Sequence, residues 1–289
     1  MSESTKEKTK KKRKGLRVKT RLKAYQRKNL RRDNLVTSIV YQILTAIVIL
    51  VLAEQAVEGR YENCFTCALT LILFLMPNFF EKRLKITLPQ TLEVIIILFI
   101  FAAEMLGEIR AFYLRFSWWD DMLHTMNGFL MAAIGFSMVD ILNKNDRFKF
   151  HLSPLFIAVV SFCFSMTIGV LWEFFEFFMD HFFLTDMQKD TVLNVVSSVN
   201  LNRDGKNIAS YIQGIGDVII RGDNLTLNGV TVGEYSLGLG GYLDIGLIDT
   251  MKDLFVNFIG AVVFSILGYI YIKNRGKGFV DRFIPKRKK

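Results

Sequence analysis

Long apolar blocks alternate with short polar connections along most of this chain. Six blocks approach or exceed the ~20 residues a helix needs to cross a ~30 Å hydrocarbon core. They are Leu35–Ala53, Phe65–Phe80, Leu88–Leu106, Met122–Leu142, Leu152–Phe178 and Met251–Ile272. None has the strict alternation of a barrel strand. The second is the shortest, and the third, with Glu93 and Glu104, is the most polar. Residues 181–248 break the pattern. They are rich in Gly, Asn and Asp, carry β-type runs at Asp217 to Arg221 and Leu225 to Val232, and place Asn228-Gly229 where a hairpin would turn. The pattern predicts an all-α membrane protein: a six-span helical bundle with a small external β-rich insertion. Spans one to five fall within residues 35–180, the insertion at 181–248 and span six within 249–272.

The overall apolar fraction of 51% is ordinary for a soluble domain, so the clustering carries the membrane reading. Charge adds an orientation. Residues 1–32 hold fifteen Lys/Arg against Glu3 and Glu7, and residues 273–289 hold eight against Asp281. Taking these local excesses of 13 and 7 from the net +10 leaves ten negative charges on residues 33–272. An acidic body thus lies between two basic tails, residues 1–34 and 273–289. A basic tail can bind nucleic acid, but here each abuts an apolar block, where it marks the cytoplasmic side and attracts anionic lipid. The loops at 81–85 and 143–151 are basic and fall on the same side as both tails, while 54–63 and 108–120 fall opposite and are poorer in basic residues. The expectation is a plasma-membrane protein with both termini cytoplasmic. The first block begins after about thirty residues and is too long for the core of a cleaved signal peptide.

Ionisable side chains within a bilayer are costly, so each calls for a reason. Under this topology they collect in one layer beneath the outer surface. Glu104 closes span three, while Asp120, Asp121 and His124 open span four. Glu173, Glu176 and Asp180 close span five, and Asp249 and Asp253 open span six with Asn257 a turn deeper. The i,i+4 steps Asp120–His124 and Asp249–Asp253–Asn257 and the i,i+3 step Glu173–Glu176 put these groups on common helix faces. So many carboxylates cannot all stay ionised in a partly desolvated place without protonation or a neutralising cation. Oxygen ligands with one imidazole suit a divalent metal, Mg²⁺, Mn²⁺, Zn²⁺ or Fe²⁺. Asp120, His124, Glu173, Glu176, Asp249 and Asp253 are the candidate ligands, and Glu173, Glu176 and His124 the candidate catalytic groups. The bland reading is interfacial, with helix-end charges reaching water; it suits Glu54, Glu108 and Asp180 best.

Other motifs carry less. Asn200 to Gly205 has the opening of a calcium loop, but the twelfth position is Tyr211 rather than the required Glu, so a plain turn is expected. Cys64 and Cys67 have CxxC spacing without a thioredoxin-like context and read as small packing residues. Trp118, Trp119 and Trp172 are expected in the interfacial belt. Arg110 and Arg115 read as paired loop charges, and Gly128, Gly135 and Gly260 as sites of close helix approach.

Three separated motifs carry a family resemblance: Trp119-Asp120-x-x-x-His124-x-x-x-Gly128, Trp172-Glu173-x-x-Glu176 and Asp249-Thr250-x-x-Asp253. With them, the chain from Asp120 to Ile272 resembles the YjdF-type inner-membrane proteins of bacteria. The resemblance implies a bacterial integral membrane protein with several helical spans, and it carries no mechanism. The basic N-terminal tail and the long 181–248 segment depart from the short members of that family.

Three functions follow. One is a metal-dependent membrane enzyme, hydrolase-like, acting at the outer leaflet on a lipid-linked substrate. Another is a cation- or proton-coupled transporter or channel. It would want polar groups continuing inward, where Glu93 and Asp140 alone are available. The last is a scaffold whose acidic cluster only joins helices.

Overall fold

In the computed structural model, the described residues are 35–84, 86–143, 152–205, 207–227, 229–274 and 276–287. The N-terminal basic tail, most of the 143–151 loop and Asn228 lie outside them. Helix α1 spans Leu35–Val57. α2 (Tyr61–Leu73) and α3 (Met76–Leu84) follow, nearly continuous, and then the short strand β1 (Ile86–Thr87). α4 (Gln90–Ile100) runs on into a π-helical segment, Phe101–Ile109, whose wider winding shows in Arg110 N–H donating to the Met105 carbonyl five residues back. A short α5 (Phe112–Arg115) precedes α6 (Trp119–Asn143).

α7 (Pro154–Phe183) starts as its sequence requires. Ser153 Oγ accepts from the Phe156 N–H at 3.2 Å, and Pro154 occupies the first helical position, where no N–H is needed. α7 ends at Leu184 in the left-handed region. Eight short strands follow: β2 (Val192–Leu193), β3 (Val195–Ser198), β4 (Ser210–Gln213), β5 (Ile219–Arg221), β6 (Thr226–Leu227), β7 (Val230–Thr231), β8 (Glu234–Ser236) and β9 (Tyr242–Leu243). They pair antiparallel as β2–β9, β3–β4, β5–β8 and β6–β7. α8 (Leu247–Lys273) then crosses back, followed by a 3₁₀ turn at Phe279–Arg282 and β10 (Lys286–Arg287), which pairs with β1.

Among the described residues, five helical stretches are long and apolar enough to cross a membrane: Leu35–Val57, Tyr61–Arg83, Trp119–Asn143, Pro154–Phe183 and Leu247–Lys273. The third apolar block of the sequence forms α4 and its π-helical extension.

Among the described residues, two cores hold these elements. α6, α7 and α8 pack on one another around Ala132, Phe136, Ile157, Ala261 and Phe264, each fully buried. Leu44, Val48 and Val51 of α1 pack with Cys67, Phe74, Ile97 and Met105 in a second core that joins α1, α2, α4 and the π segment. Cys64 and Cys67 are free thiols, and Cys67 is a fully buried packing residue as expected. Outward faces stay apolar: Leu50, Phe65, Phe174 and Phe255 are among the exposed large side chains, as befits helices whose solvent is lipid.

α6 and α8 approach through their glycines. A Cβ on Gly128 would sit 2.1 Å from the Asn257 carbonyl oxygen, and one on Gly260 would sit 2.1 Å from that of Thr125. Backbones this close leave room for no side chain, the reason small residues line membrane helix interfaces. Gly135 likewise meets Phe164 of α7.

The C-terminal basic segment is not free. Val280, Phe283 and Ile284 are buried against the α6–α8 core, and Tyr271 OH donates to Asp281 at 3.0 Å. Between α1, α2, α3 and α4 lies a cavity of about 440 Å³, lined by Thr37, Tyr41, Asn78, Glu81 and Glu93 among others.

The expected hairpin forms, with Thr226 opposite Thr231 and Leu227 opposite Val230, and Gly229 at φ +80°. The calcium-like stretch is a plain turn between β3 and β4, in which Asn202 Oδ1 accepts from the Asp204 N–H and Nδ2 donates to the Ile208 carbonyl.

Candidate metal centre

The first turns of α6 and α8 and the last turns of α7 meet at one end of the three-helix core. α6 delivers Asp120 and, one turn further in, His124. α8 delivers Asp249 and then Asp253, and α7 delivers Glu173 and Glu176. His124, Glu173, Glu176 and Asp253 form one group in which an atom from each lies within 4.8 Å of the others, and all four residues are buried. Asp120, Asp249 and Asp253 form a second group under the same limit, with the two outer residues partly exposed. All six candidate ligands are therefore brought together, in two groups that share Asp253.

The imidazole lies between acids. Nδ1 is 3.7 Å from Glu173 Oε1, while Nε2 is 3.6 Å from Asp120 Oδ1 and 3.8 Å from Asp253 Oδ2. These separations are too long for good hydrogen bonds. On either ring nitrogen they are the size of the spacing between ligands of one ion, since bonds of about 2.0–2.2 Å place neighbouring ligand atoms roughly 3–4 Å apart, and an ion would take one of the two nitrogens. The Glu173 side chain is 5% exposed and that of Asp253 1%. Among the described residues, none of their four carboxylate oxygens has a hydrogen-bond partner. Buried polar atoms are almost always satisfied, so four orphaned oxygens aimed into one space call for a cation or protons. The donor set, carboxylate oxygens with one imidazole, fits a divalent metal.

Neighbouring contacts fix this arrangement. Trp172 Nε1 donates to Glu176 Oε1 at 2.7 Å and orients it, and the Thr250 hydroxyl lies beside Glu173. Ser165 Oγ donates to the Gly128 carbonyl at 2.7 Å and ties α7 to α6. Asn257 forms the floor, where its Oδ1 accepts from Asn127 Nδ2 at 3.3 Å. The insertion closes over the outer end. The Lys189 N–H donates to Asp249 Oδ2 at 2.7 Å, Gln188 Nε2 donates to Thr250 Oγ1, and Lys252 Nζ lies 2.8 Å from Asp121 Oδ1.

Several expectations are adjusted. Glu104 lies on the π segment, outside both groups. Asp180 ties the start of the insertion, accepting from Thr185 Oγ1 and the N–H groups of Met187 and Gln188. Trp118 and Trp172 are exposed as an interfacial belt requires, but Trp119 is buried, because Phe112 of α5 covers it edge-on at 4.9 Å between ring centroids. Arg110 lies 4.0 Å from Glu54, a loop pair of little energetic weight.

Sequence reasoning missed Tyr113. Its ring fills the space beside Gly107, and burial, with the charges of Asp120, Glu108, Glu104 and Glu176, pushes its phenol well above the ordinary value, so it stays protonated next to the acids. It also missed Gln188, Lys189 and Lys252, whose contacts bridge stretches far apart in the chain and leave no local signal.

Several apolar helices and a buried polar cluster between three of them define a helical membrane protein. The profile of the family described as "Predicted membrane protein (DUF2238)" matches residues 37–201, more than half of the chain. The chain belongs to this family, which is the YjdF-type family that its motifs resemble. The matched stretch takes in the first two motifs, and Asp249-Thr250-x-x-Asp253 lies beyond it. An uncharacterized protein of Thermotoga maritima is 27% identical over 104 residues, covering 36% of this chain and 52% of the relative. The chain thus spans about half the length of that relative. No solved structure matches the chain.

Proposed function

We propose that this protein is a metal-dependent membrane enzyme, a hydrolase that acts at the outer leaflet on a lipid-linked phosphate or ester. The observation that carries the reading is the set of four buried, unpartnered oxygens of Glu173 and Asp253 around His124. A divalent cation held there would supply Lewis acidity and a water that ionises near neutral pH. Glu176, held by Trp172, would take that water's proton, which leaves His124, Glu173 and Asp253 to hold the ion. In the hydrolysis the water oxygen bonds to the phosphorus or acyl carbon, the bond to the lipid oxygen breaks, and that oxygen leaves with the proton.

Counting α4 and its π extension as a further span gives six. The basic connections and ends then gather on the cytoplasmic face of a bacterial plasma membrane, close to anionic lipid. The cluster and the insertion lie on the outer side. A transporter would need polar groups continuing through the three-helix core. Beneath Asn257 the described core is mostly apolar, with Ala132, Phe136, Ala261 and Phe264, but Ser137, Ser161, Ser265 and Asp140 are buried there too, so a cation- or proton-coupled transporter is the second reading.

The first test is the metal content of the detergent-purified protein beside Glu173→Gln and His124→Ala, with hydrolysis of lipid phosphates and lipid esters in mixed micelles. The expected result is stoichiometric metal and metal-dependent hydrolysis in the parent, both lost in folded variants. A parent that binds no divalent metal overturns the reading and makes proton or ion flux in proteoliposomes the next measurement.

A further inference from the structure

We propose that the cluster holds two metal ions, bridged by Asp253. This rests on reading the cluster as a metal centre and adds a second subsite to it. The six residues form two overlapping groups, and Asp253 is the member common to both, with His124 Nε2 also 3.6 Å from Asp120 Oδ1. It is also the most completely buried acid of the set, with a side chain 1% exposed and neither oxygen hydrogen-bonded among the described residues. A deeply buried carboxylate with two unpartnered oxygens that belongs to both groups is suited to bridge two ions.

The helices repeat the division. On α6, Asp120 precedes His124 by one turn, and on α8, Asp249 precedes Asp253 by one turn, about 6 Å along each axis. The inner level has His124, Glu173 and Glu176, and the outer level has Asp120 and Asp249. Charge points the same way. Fully ionised, five carboxylates around a neutral imidazole would carry five negative charges. One divalent ion would then leave three to be neutralised by protons, whereas two would leave one. The inner set, with imidazole, suits Zn²⁺, Mn²⁺ or Fe²⁺. The outer set is all oxygen, partly exposed, and suits a hard ion such as Mg²⁺ or Mn²⁺ that keeps several waters. Asp249 has one oxygen already engaged by the Lys189 N–H, so the insertion orients the outer ligand.

Mn²⁺ serves as the probe, since it suits both sets. Metal-stripped, full-length protein in detergent is dialysed against Mn²⁺, bound metal is counted, and electron paramagnetic resonance reports coupling between ions. The expected result is two Mn²⁺ per chain with a spin-coupled spectrum. Asp249→Asn and Asp120→Asn should each retain one ion with an uncoupled six-line spectrum. Size-exclusion chromatography and circular dichroism confirm that these partly exposed positions leave the fold intact. One uncoupled Mn²⁺ per chain in the parent, kept by Asp249→Asn, overturns the second ion and leaves the metal centre standing. No Mn²⁺ in the parent at millimolar concentration overturns both. Two ions retained in both variants overturns the outer ligand assignment and with it the Asp253 bridge.

Discussion

Carboxylates in this protein divide by whether the chain satisfies them. Asp180 accepts three hydrogen bonds at the start of the insertion, and Asp217 accepts from the N–H groups of Val218 and Gly238 and from Ser236 Oγ. Glu173 and Asp253, far more deeply buried, have none among the described residues. The first kind organises loops, whereas the second waits for something the chain does not supply. Asp217 gives a test of the first kind. Hydrogen bonds from the Ser236 hydroxyl and then from the Gly238 and Val218 amides hold its carboxyl below the ordinary aspartate value of about 3.9. A depressed folded value means the carboxylate stabilises the insertion above about pH 4, and the contribution is lost as pH falls through the folded value. Asp217→Asn should therefore lower hydrogen-exchange protection of the Leu237 and Gly238 amides at pH 7, with parent and variant converging below the folded value. A gap that persists unchanged into acid would show that the carboxylate charge is not responsible.

At the scale of elements, the close contact of α6 with α8 sets the site. Gly128 lies one turn below His124, and Gly260 lies near the depth of Asn257, so backbone contact there fixes the spacing of the ligands above it. Gly128→Ala would put a methyl 2.1 Å from the Asn257 oxygen, so the helices must separate. Overpacking of this kind costs about 1–3 kcal/mol, and the variant should melt at lower temperature in detergent and bind metal more weakly than the parent. An unchanged melting temperature would mean that the two helices are not packed this closely. Gly128 and Gly260 are legible in the sequence as small residues inside apolar blocks. The π-helical end of the third block, where Tyr113 lies against Gly107, is not.

Over the whole molecule, the proposed topology makes a direct prediction. With six spans, both basic ends share one side and the insertion lies on the other, whereas loss of the α4 span would put the two ends on opposite sides. A cysteine placed at exposed Asp204, in a cysteine-free background, should react with an impermeant maleimide from outside intact cells, and one at exposed Phe279 should not. Labelling at both positions from outside would remove the even number of spans and the outer-leaflet placement of the cluster.

The sequence alone determined the helical blocks, the Asn228-Gly229 hairpin and the separate helix faces that carry acids, because each follows from spacing along the chain: apolar length for a span, φ-permissive residues for a turn, i,i+4 steps for a face. It also marked the C-terminal segment as basic without showing that Val280, Phe283 and Ile284 bury against the bundle, since three apolar residues among charges look like a tail until a surface is there to receive them. Only the tertiary structure decided that the acids of α6, α7 and α8 form two groups sharing Asp253, that Trp119 is covered, and that Gln188 and Lys189 of the insertion close the outer end. These are meetings of residues distant in the chain, set by how closely glycine allows helices to approach, and spacing along a sequence holds no record of that distance.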